Sequence, residues 1–139
     1  MKVSQKTEYA LRAMLELALR YGGRATRSAG IAKTQRIPEK FLELILVELR
    51  RAGLVVSQRG PEGGHRLARP AQDISVGDIW RAIEGPLGST GKPVSTRPDP
   101  FQSVWAAVDK SVANVVDNVS LAEIQQRAEA RQNVPDFNI

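Results

Sequence analysis

The sequence predicts a mainly α protein with one small β-hairpin. Three observations support this fold class. Apolar residues recur at helical spacing in three segments of the first half of the chain. A glycine-rich turn at 59–64 separates two short strand-like segments. A row of mostly valine side chains follows residue 101 at the i, i+3, i+4, i+7 spacing that is typical of a long amphipathic helix.

The first predicted helix covers residues 5–21. Its apolar side chains recur at helical spacing, and Glu16 is one of four charged residues that alternate with them. A glycine pair at 22–23 then ends the helix, because glycine readily adopts the backbone that closes helices. Ser28 is the predicted N-cap of a second, short helix over residues 29–35, since its hydroxyl can accept a bond from a free helical amide.

The third predicted helix begins at Pro38, which suits a first helical turn, and runs to about Ala52, where Gly53 stops it. Its apolar stripe consists of Phe41, Leu42, Ile45, Leu46 and Leu49. Nearer the other face lie Glu39, Lys40, Glu43, Val47 and Arg50. The second and third helices have the spacing of a helix-turn-helix pair, although plain three-helix bundles share it. Arg36 stands where the turn usually has glycine, and a positive φ there would cost arginine about 1 kcal/mol.

Residues 54–58 and 65–69 are predicted to form the two strands of the hairpin. Arg59 lies at the base of the turn, and Arg66 lies beyond it in the second strand. The glycines and Pro61 allow a thin tip that can approach DNA phosphates. A surface hairpin with solubilising arginines is the alternative. The position directly after a helix-turn-helix favours a DNA-binding wing.

A capping box at Ser75–Asp78 predicts a helix over residues 76–84, and glycines and prolines predict a loop after it. A long helix is predicted over 101–118, and a second capping box at Ser120–Glu123 opens a last helix to about Gln132. The tail at 134–139 is expected to fray. The predicted domains are a winged helix-turn-helix over 1–85, a loop over 86–100, and a dimerisation helix with a terminal helix over 101–133.

The long helix carries an apolar stripe that needs a partner surface. It could pack on its own domain. Because residues 1–85 already hold enough apolar stripes to close a small core, a second copy of the helix is the favoured partner, giving a twofold dimer. The predicted dimerisation residues are Phe101, Val104, Trp105, Val108, Val112, Val115 and Val116.

Composition excludes several classes of function. The 139 residues include no cysteine and one histidine, His65, which excludes disulfides, thiolate catalysis and cysteine-ligated iron–sulphur clusters. No enzyme constellation is recognised, since Asp73, Asp78 and Glu84 fall at helix ends, where capping explains them. Neither a signal peptide nor an apolar run long enough to span a bilayer is recognised, so a cytoplasmic protein is expected.

Charge is divided unevenly along the chain. Residues 1–69 carry fourteen Lys/Arg and six Asp/Glu, a net +8, whereas residues 70–139 carry six and nine, a net −3. The basic half contains the helix pair and the hairpin. This asymmetry fits a nucleic-acid-binding region joined to a region with another role, although a solvated basic face would look the same.

Several motifs together resemble the Rrf-type (Rrf-two) family of winged-helix transcription regulators. These motifs are Tyr9-Ala-Leu-Arg-Ala-Met, Ile37-Pro38, Leu49-Arg50-Arg51-Ala52-Gly53-Leu54-Val55, Arg59-Gly60-Pro61, Gly63-Gly64, Ile83-Glu84-Gly85 and Ser120-Leu121-Ala122-Glu123. The resemblance implies a homodimer, most simply a repressor, that binds a partly palindromic operator in double-stranded DNA. The third helix would enter a major groove, and the wing would reach the flanking minor groove.

The resemblance also implies which residues contact DNA. Lys40 and Glu43 would face bases, and Glu43 would accept a hydrogen bond from a cytosine amino group. Arg59 would lie at the wing, and Ser28 and Gln35 would contact the DNA backbone. The implied set is Ser28, Gln35, Pro38, Glu39, Lys40, Glu43, Arg50, Arg59, Gly60, Pro61, Gly63, Gly64 and Arg66.

The chain departs from the family pattern at three places. Cluster-binding members place three cysteines in the loop that corresponds to residues 88–100, where this chain has none, so no cofactor is predicted. Glu62 stands where glycine is usual, and His65 where tyrosine is common. Two alternatives stay open. The winged domain could act through a protein partner, or the loop and long helices could hold a small-molecule effector.

Overall fold

The computed structural model describes residues 3–87 and 99–132. Its elements are α1 (Gln5–Leu19), α2 (Ser28–Gln35), α3 (Glu39–Arg51), β1 (Val55–Gln58), β2 (Gly64–Leu67), a 3₁₀ turn (Ala71–Asp73), α4 (Val76–Glu84), α5 (Gln102–Asp117) and α6 (Leu121–Gln132). The mainly α fold with one hairpin is therefore confirmed. Most of the predicted loop at 86–100 and the predicted frayed tail lie outside the described residues.

Helix α1 is the centre of the core. Ser4 is its N-cap and accepts a hydrogen bond from the Thr7 amide at 3.1 Å. The helix ends at Leu19, two residues earlier than predicted, and the side chain of Tyr21 is 58% exposed. The position of Glu16 is the clearest departure from the sequence pattern, since its side chain is buried with the apolar residues rather than facing solvent.

Helices α2 and α3 pack against α1 through buried aliphatic side chains. These are Ile31, Ala32, Leu42, Ile45, Leu46 and Leu49. Arg36 joins the two helices in the left-handed conformation (φ 54°, ψ 51°), so the strain expected for a non-glycine residue at this turn is present. Pro38 occupies the N-cap position of α3 rather than its first turn.

The predicted N-cap role of Ser28 is wrong. Arg27 is the N-cap residue of α2, and its carbonyl accepts hydrogen bonds from the amides of Gly30 and Ile31. Ser28 is instead the first helical residue, and no side-chain capping bond is formed. The side chain of Arg27 does not cap the helix and reaches the hairpin instead.

The hairpin is antiparallel and pairs Val55 with Leu67 and Ser57 with His65. Val55 and Leu67 are buried against the helices. The next pair along the strands, Val56 and Arg66, points to the opposite side and is exposed. A third segment joins the sheet at Thr26, which exchanges two backbone hydrogen bonds with His65 at 2.8 and 3.0 Å. The segment before α2 therefore ties the hairpin to the helical core.

Parts of the C-terminal half pack into the same core as the first half of the chain. The capping box at Ser75–Asp78 forms as predicted. The Leu121 amide donates to the Ile74 carbonyl at 2.7 Å, and the Leu121 side chain is buried. Helix α6 packs on α1, so the end of the chain contributes to the same core as the first half.

Helix α5 lies outside this core, and most of its surface is exposed to solvent. It is anchored at its C-terminal end, where Arg81 of α4 forms a bidentate ion pair with Asp117, both distances being 2.7 Å. Gly77 permits this approach, since a Cβ atom there would lie 2.0 Å from Asp117 Oδ1. No residue of α5 is buried. Within residues 3–87 and 99–132, no helix combines the length and apolar character needed to cross a bilayer.

Candidate nucleic-acid interface

The outer face of α3 is the first part of the candidate interface. Lys40 and Glu43 project from the first turns of the helix and are exposed, as is Glu39. The opposite stripe of α3 is buried, so the helix is held by one face and presents the other. We call the exposed set Glu39, Lys40, Glu43 and Arg50 the recognition face. It combines cationic donors with carboxylate acceptors, which are the groups that read base edges in a major groove.

A groove runs between the recognition face and the hairpin. It has a volume of about 460 Å³ and is lined by the N-terminus of α2, the end of α3 and the hairpin backbone. Arg27, Arg50 and Arg59 contribute three guanidinium groups, and the lining includes no acidic side chain among the described residues. We call it the wing groove. Its charge and the helix N-terminus at Ser28 suit a phosphate group.

Arg27 supports the wing tip, residues 59–63. One of its terminal nitrogens, Nη2, donates to the Pro61 carbonyl at 2.9 Å and to the Gly60 carbonyl at 3.3 Å. The tip is thus fastened to the start of α2, some thirty residues earlier in the chain. Sequence reasoning missed Arg27. The basic residues Arg24 and Arg27 beside the predicted helix start were the available signal.

Two glycines allow the wing to lie close to its neighbours. A Cβ atom on Gly63 would lie 2.5 Å from the Gln58 carbonyl oxygen. Gly64 has φ of +145°, and a Cβ atom there would lie 2.6 Å from the backbone of Thr26. Both distances are shorter than a carbon atom tolerates. The predicted wing glycines therefore shape the hairpin and its attachment, whereas Arg59, Gly60 and Pro61 form the exposed tip.

His65 lies in β2, as predicted, on the hairpin side that faces α3. Its Nδ1 is 2.8 Å from Ser57 Oγ, across the strand pair. Burial lowers the pKa of His65 below 6.5, the nearby Arg50 lowers it further, and Glu43 opposes the shift. A neutral imidazole is thus favoured beside the recognition face, and one end of α3 is electrostatically linked to the wing.

The structure gives Gln35 a role inside the domain. Its Nε2 donates to Glu16 Oε2 at 2.9 Å, while Arg20 Nε donates to Glu16 Oε1 at 2.8 Å. Arg12 also reaches the Gln35 carbonyl at 3.4 Å. The buried carboxylate of Glu16 therefore holds the end of α2 against α1. This use of the Gln35 amide differs from the expected contact with the DNA backbone.

Arg66 is separated from the other predicted contacts. It is paired with Val56 on the outer side of the hairpin, and its Nη2 donates to Gln58 Oε1 at 2.5 Å. The residues of the wing groove do not include it. The structure thus brings Arg50 and Arg59 together with the start of α2 but leaves Arg66 on another surface. Glu62, the residue that departs from the family pattern, is exposed at the wing tip.

The predicted dimerisation face consists mainly of exposed apolar side chains. Phe101 is 63% exposed, Val104 50%, Trp105 37%, Val108 37% and Val115 64%. Val112 and Val116 are half-buried. Val116 points toward α4, because a Cβ atom on Gly77 would come within 3.1 Å of Val116 Cγ2. Val116 therefore serves the chain's own packing, which its place in the sequence stripe did not predict.

The donor groups of the chain do not fit an iron–sulphur cluster of the family type. Such clusters are held by cysteine thiolates, and the sequence contains no cysteine. Across residues 3–87 and 99–132, no three His, Asp or Glu side chains converge as metal ligands would. We therefore derive no role for a cluster in this protein.

Comparison with known proteins agrees with this geometry. Residues 3–127 match the family model Rrf2, described as an iron-dependent transcriptional regulator. The transcriptional regulator CymR of Bacillus subtilis is 34% identical and is aligned over the full length of both chains. A protein of Mycobacterium tuberculosis is 40% identical over 130 residues, covering 89% of this chain and 81% of its own.

Two solved structures share the fold. The B. subtilis CymR structure, that of the global cysteine regulator, has a TM-score of 0.82 at 34% identity and covers 91% of this chain and 98% of its own. The IscR structure from T. potens has a TM-score of 0.83 at 37% identity and covers 99% and 95%. Curated relatives that bear the names CymR and IscR are HTH-type transcriptional regulators. The chain belongs to the Rrf2 family of winged helix-turn-helix transcriptional regulators.

Proposed function

We propose that the protein is a homodimeric repressor that binds a partly palindromic operator and works without an iron–sulphur cluster. The observation that carries this proposal is the arrangement of the recognition face beside the wing groove. A helix that is apolar on one side and charged on the other lies next to a basic hairpin, as a winged helix-turn-helix requires.

The recognition face reads the DNA sequence. Glu43 accepts a hydrogen bond from a cytosine amino group, and Lys40 donates to a guanine edge in the major groove. Arg50, Arg59 and the N-terminus of α2 at Ser28 bind phosphates on either side of the wing. Exposed positions support these roles, and the guanidinium groups in the wing groove supply the positive charge.

Helix α5 forms the interface between the two subunits of the proposed dimer. Full burial of an exposed large apolar side chain yields about 1.5–3 kcal/mol, and the side chains of this face, which are 37–64% exposed, would gain a corresponding part of it. The face is therefore costly to leave in water. A twofold axis along α5 presents the same residues to each other from both subunits. The two recognition faces then lie about 34 Å apart, which matches half-sites separated by one helical turn of DNA.

Selection of genomic DNA fragments by the purified protein tests the proposal and delivers the operator. Glu43→Ala is expected to relax the base preference, whereas Arg59→Ala weakens affinity for all sequences and lowers the salt dependence of binding. Glu129→Ala and Arg131→Ala, exposed changes on α6, are the matched controls and leave both properties unchanged. An unaltered base preference in Glu43→Ala would exclude the base-reading role.

The dimer is tested by analytical ultracentrifugation of Val104→Glu. Val104 is 50% exposed, so the charge burdens the subunit interface and not the core. The variant is expected to sediment as a monomer and to lose affinity for the palindrome, while Lys110→Glu, also exposed on α5, is the control. A Val104→Glu protein that stays dimeric would place the interface elsewhere.

Repression is tested by transcription in vitro from a promoter that contains the selected operator. Added protein is expected to reduce transcript yield, and Glu43→Ala to relieve this reduction. An increase in yield would identify an activator. We also propose the cytoplasm as the place of action, because a regulator of this family acts where its operator DNA lies.

A further inference from the structure

A second pocket adjoins the wing groove and shares Ser57, Gln58 and His65 of the hairpin with it. It is formed by the end of α1, the loop at 20–26 and both strands of the hairpin, and it has a volume of about 480 Å³. This volume is within the range of small-molecule sites, which is roughly 300–1,000 Å³. We call it the loop pocket. None of its lining residues belongs to α5.

The loop pocket has an apolar body. The side chains of Leu17 and Leu67 line it and are 2% and 6% exposed, so they belong to the domain core. Tyr21 and Val56 also line it, and their side chains are 58% and 50% exposed. An apolar group that fills this space would cover both of them.

The rim of the loop pocket is cationic. Arg20, Arg24 and Arg66 line it, and no acidic side chain does so among the described residues. Arg20 is engaged by Glu16 and Arg66 by Gln58. Arg24 forms no ion pair with any residue in 3–87 or 99–132. An anionic group would therefore meet at least one guanidinium that no carboxylate of the described residues engages.

From these two properties we propose that the loop pocket binds a small organic acid, meaning a carboxylate attached to an aromatic or other apolar body. The phosphodiester backbone of DNA is a poorer occupant, because its charge suits the arginines but it has no apolar group for Leu17, Tyr21 and Val56. The pocket thus supplies an effector site that adjoins the DNA-binding surface and extends beyond it to Leu17, Tyr21 and Arg24.

A ligand bound in the loop pocket would directly affect how the wing is attached to the helical core. Thr26 and His65 both line the pocket, and their two backbone hydrogen bonds are the attachment of the hairpin to the segment before α2. A ligand that contacts both sides of this attachment stabilises the wing in its present position. Ligand binding therefore raises operator affinity, a regulatory step that rests on the proposed function.

Nuclear magnetic resonance titration of the full chain tests the site without DNA. The probe is 1-naphthylacetate, and the neutral control is 1-naphthylacetamide, which has the same shape. At about 0.3 kcal/mol per non-hydrogen atom, a ligand of this size has a Kd of about 1 mM. Saturable shifts are expected at the backbone amides of Tyr21, Gly22 and Gly23, which line the loop pocket and not the wing groove. Naphthylacetamide is expected to bind roughly tenfold more weakly because charge-assisted bonds are lost.

Two variants sharpen this test. Arg24→Gln and Arg66→Gln change exposed residues and are expected to weaken naphthylacetate binding several-fold while their spectra stay folded. Arg131→Gln on α6 is the charge-matched control and is expected to bind as the parent does. Equal affinity for acid and amide, shifts located elsewhere, or no saturable shift would each overturn the proposed site.

Fluorescence anisotropy with an operator fragment tests the regulatory step. Saturating naphthylacetate, compared with sodium acetate at the same ionic strength, is expected to tighten DNA binding by about fivefold, the lower end of typical coupling between sites. Unchanged or weaker DNA binding, with the pocket occupied, would overturn the regulatory role. Because the titration uses no DNA, failure of the site and failure of the operator proposal are distinguishable.

Discussion

Gly64→Ala is the substitution that most directly tests how the wing is attached. Gly64 begins β2 with φ of +145°, and a new Cβ atom would lie 2.6 Å from both the carbonyl carbon and the oxygen of Thr26. Backbone atoms cannot move aside as a flexible side chain can. The segment around Thr26 must therefore separate from the hairpin, which breaks its two hydrogen bonds with His65.

The expected cost has two parts. Alanine in a left-handed conformation costs about 1–2 kcal/mol relative to glycine. Loss of two hydrogen bonds adds about 0.5–1.5 kcal/mol each. The free energy of unfolding should fall by about 2–5 kcal/mol, whereas a domain of 139 residues has roughly 7–20 kcal/mol in total. The variant therefore stays folded, with a displaced wing and weakened affinity for DNA.

Urea unfolding and DNA-binding titrations measure both effects, with Gly60→Ala as the control. Gly60 also has a positive φ, +104°, but a Cβ atom there would have no neighbour within 4 Å. Only the conformational part of the cost, about 1–2 kcal/mol, should appear in this variant. If the two variants differ by less than about 0.5 kcal/mol, contact with Thr26 does not limit position 64 and the reasoning is refuted.

Three further predictions concern polar groups inside the fold. Glu16→Ala leaves the Gln35 amide without its acceptor and should lower the free energy of unfolding by about 1–3 kcal/mol in urea, with Glu129→Ala neutral. Because the pKa of His65 is lowered in the folded protein, the free energy of unfolding is highest above pH 6.5 and falls as the pH drops below that value. The urea midpoint of His65→Gln should not show this fall with pH. The hydrogen bond from Arg81 lowers the pKa of Asp117 below 3.8, so the stability that this pair contributes is lost as the pH falls below 3.8. In an acid titration, the free energy of unfolding of Asp117→Asn should therefore fall less steeply than that of the parent protein.

Local patterns predicted most elements because their causes are local. The capping box at Ser75–Asp78 and the stop at Gly53, which has φ of +78°, lie within a few residues of the helix ends that they define. The alternation that buries Leu42, Ile45 and Leu49 follows from helical periodicity alone. Errors in helix bounds lay at helix ends, as at Leu19, where fraying and solvent exposure decide the last turn.

The candidate interface was predicted in part. Residue type and spacing placed Lys40 and Glu43 on the outer face of α3 and Arg59 at the wing, and the structure leaves all three exposed. Their roles toward DNA stay predictions. Arg27 was missed and Gln35 was given a different role, because the wing tip and Glu16 that engage them lie far away in the sequence.

The sequence by itself determined the order of helices and hairpin, the family, the exposed charge of α3 and the absence of cysteine ligands, since each depends on residue type at short spacing. Only the tertiary structure decided that Glu16 is buried, that Arg27 supports the wing tip and that Val116 packs toward α4. It also decided that Arg66 belongs to the loop pocket and not to the wing groove. These outcomes depend on which distant segments meet, and no local spacing records the free energy of that packing.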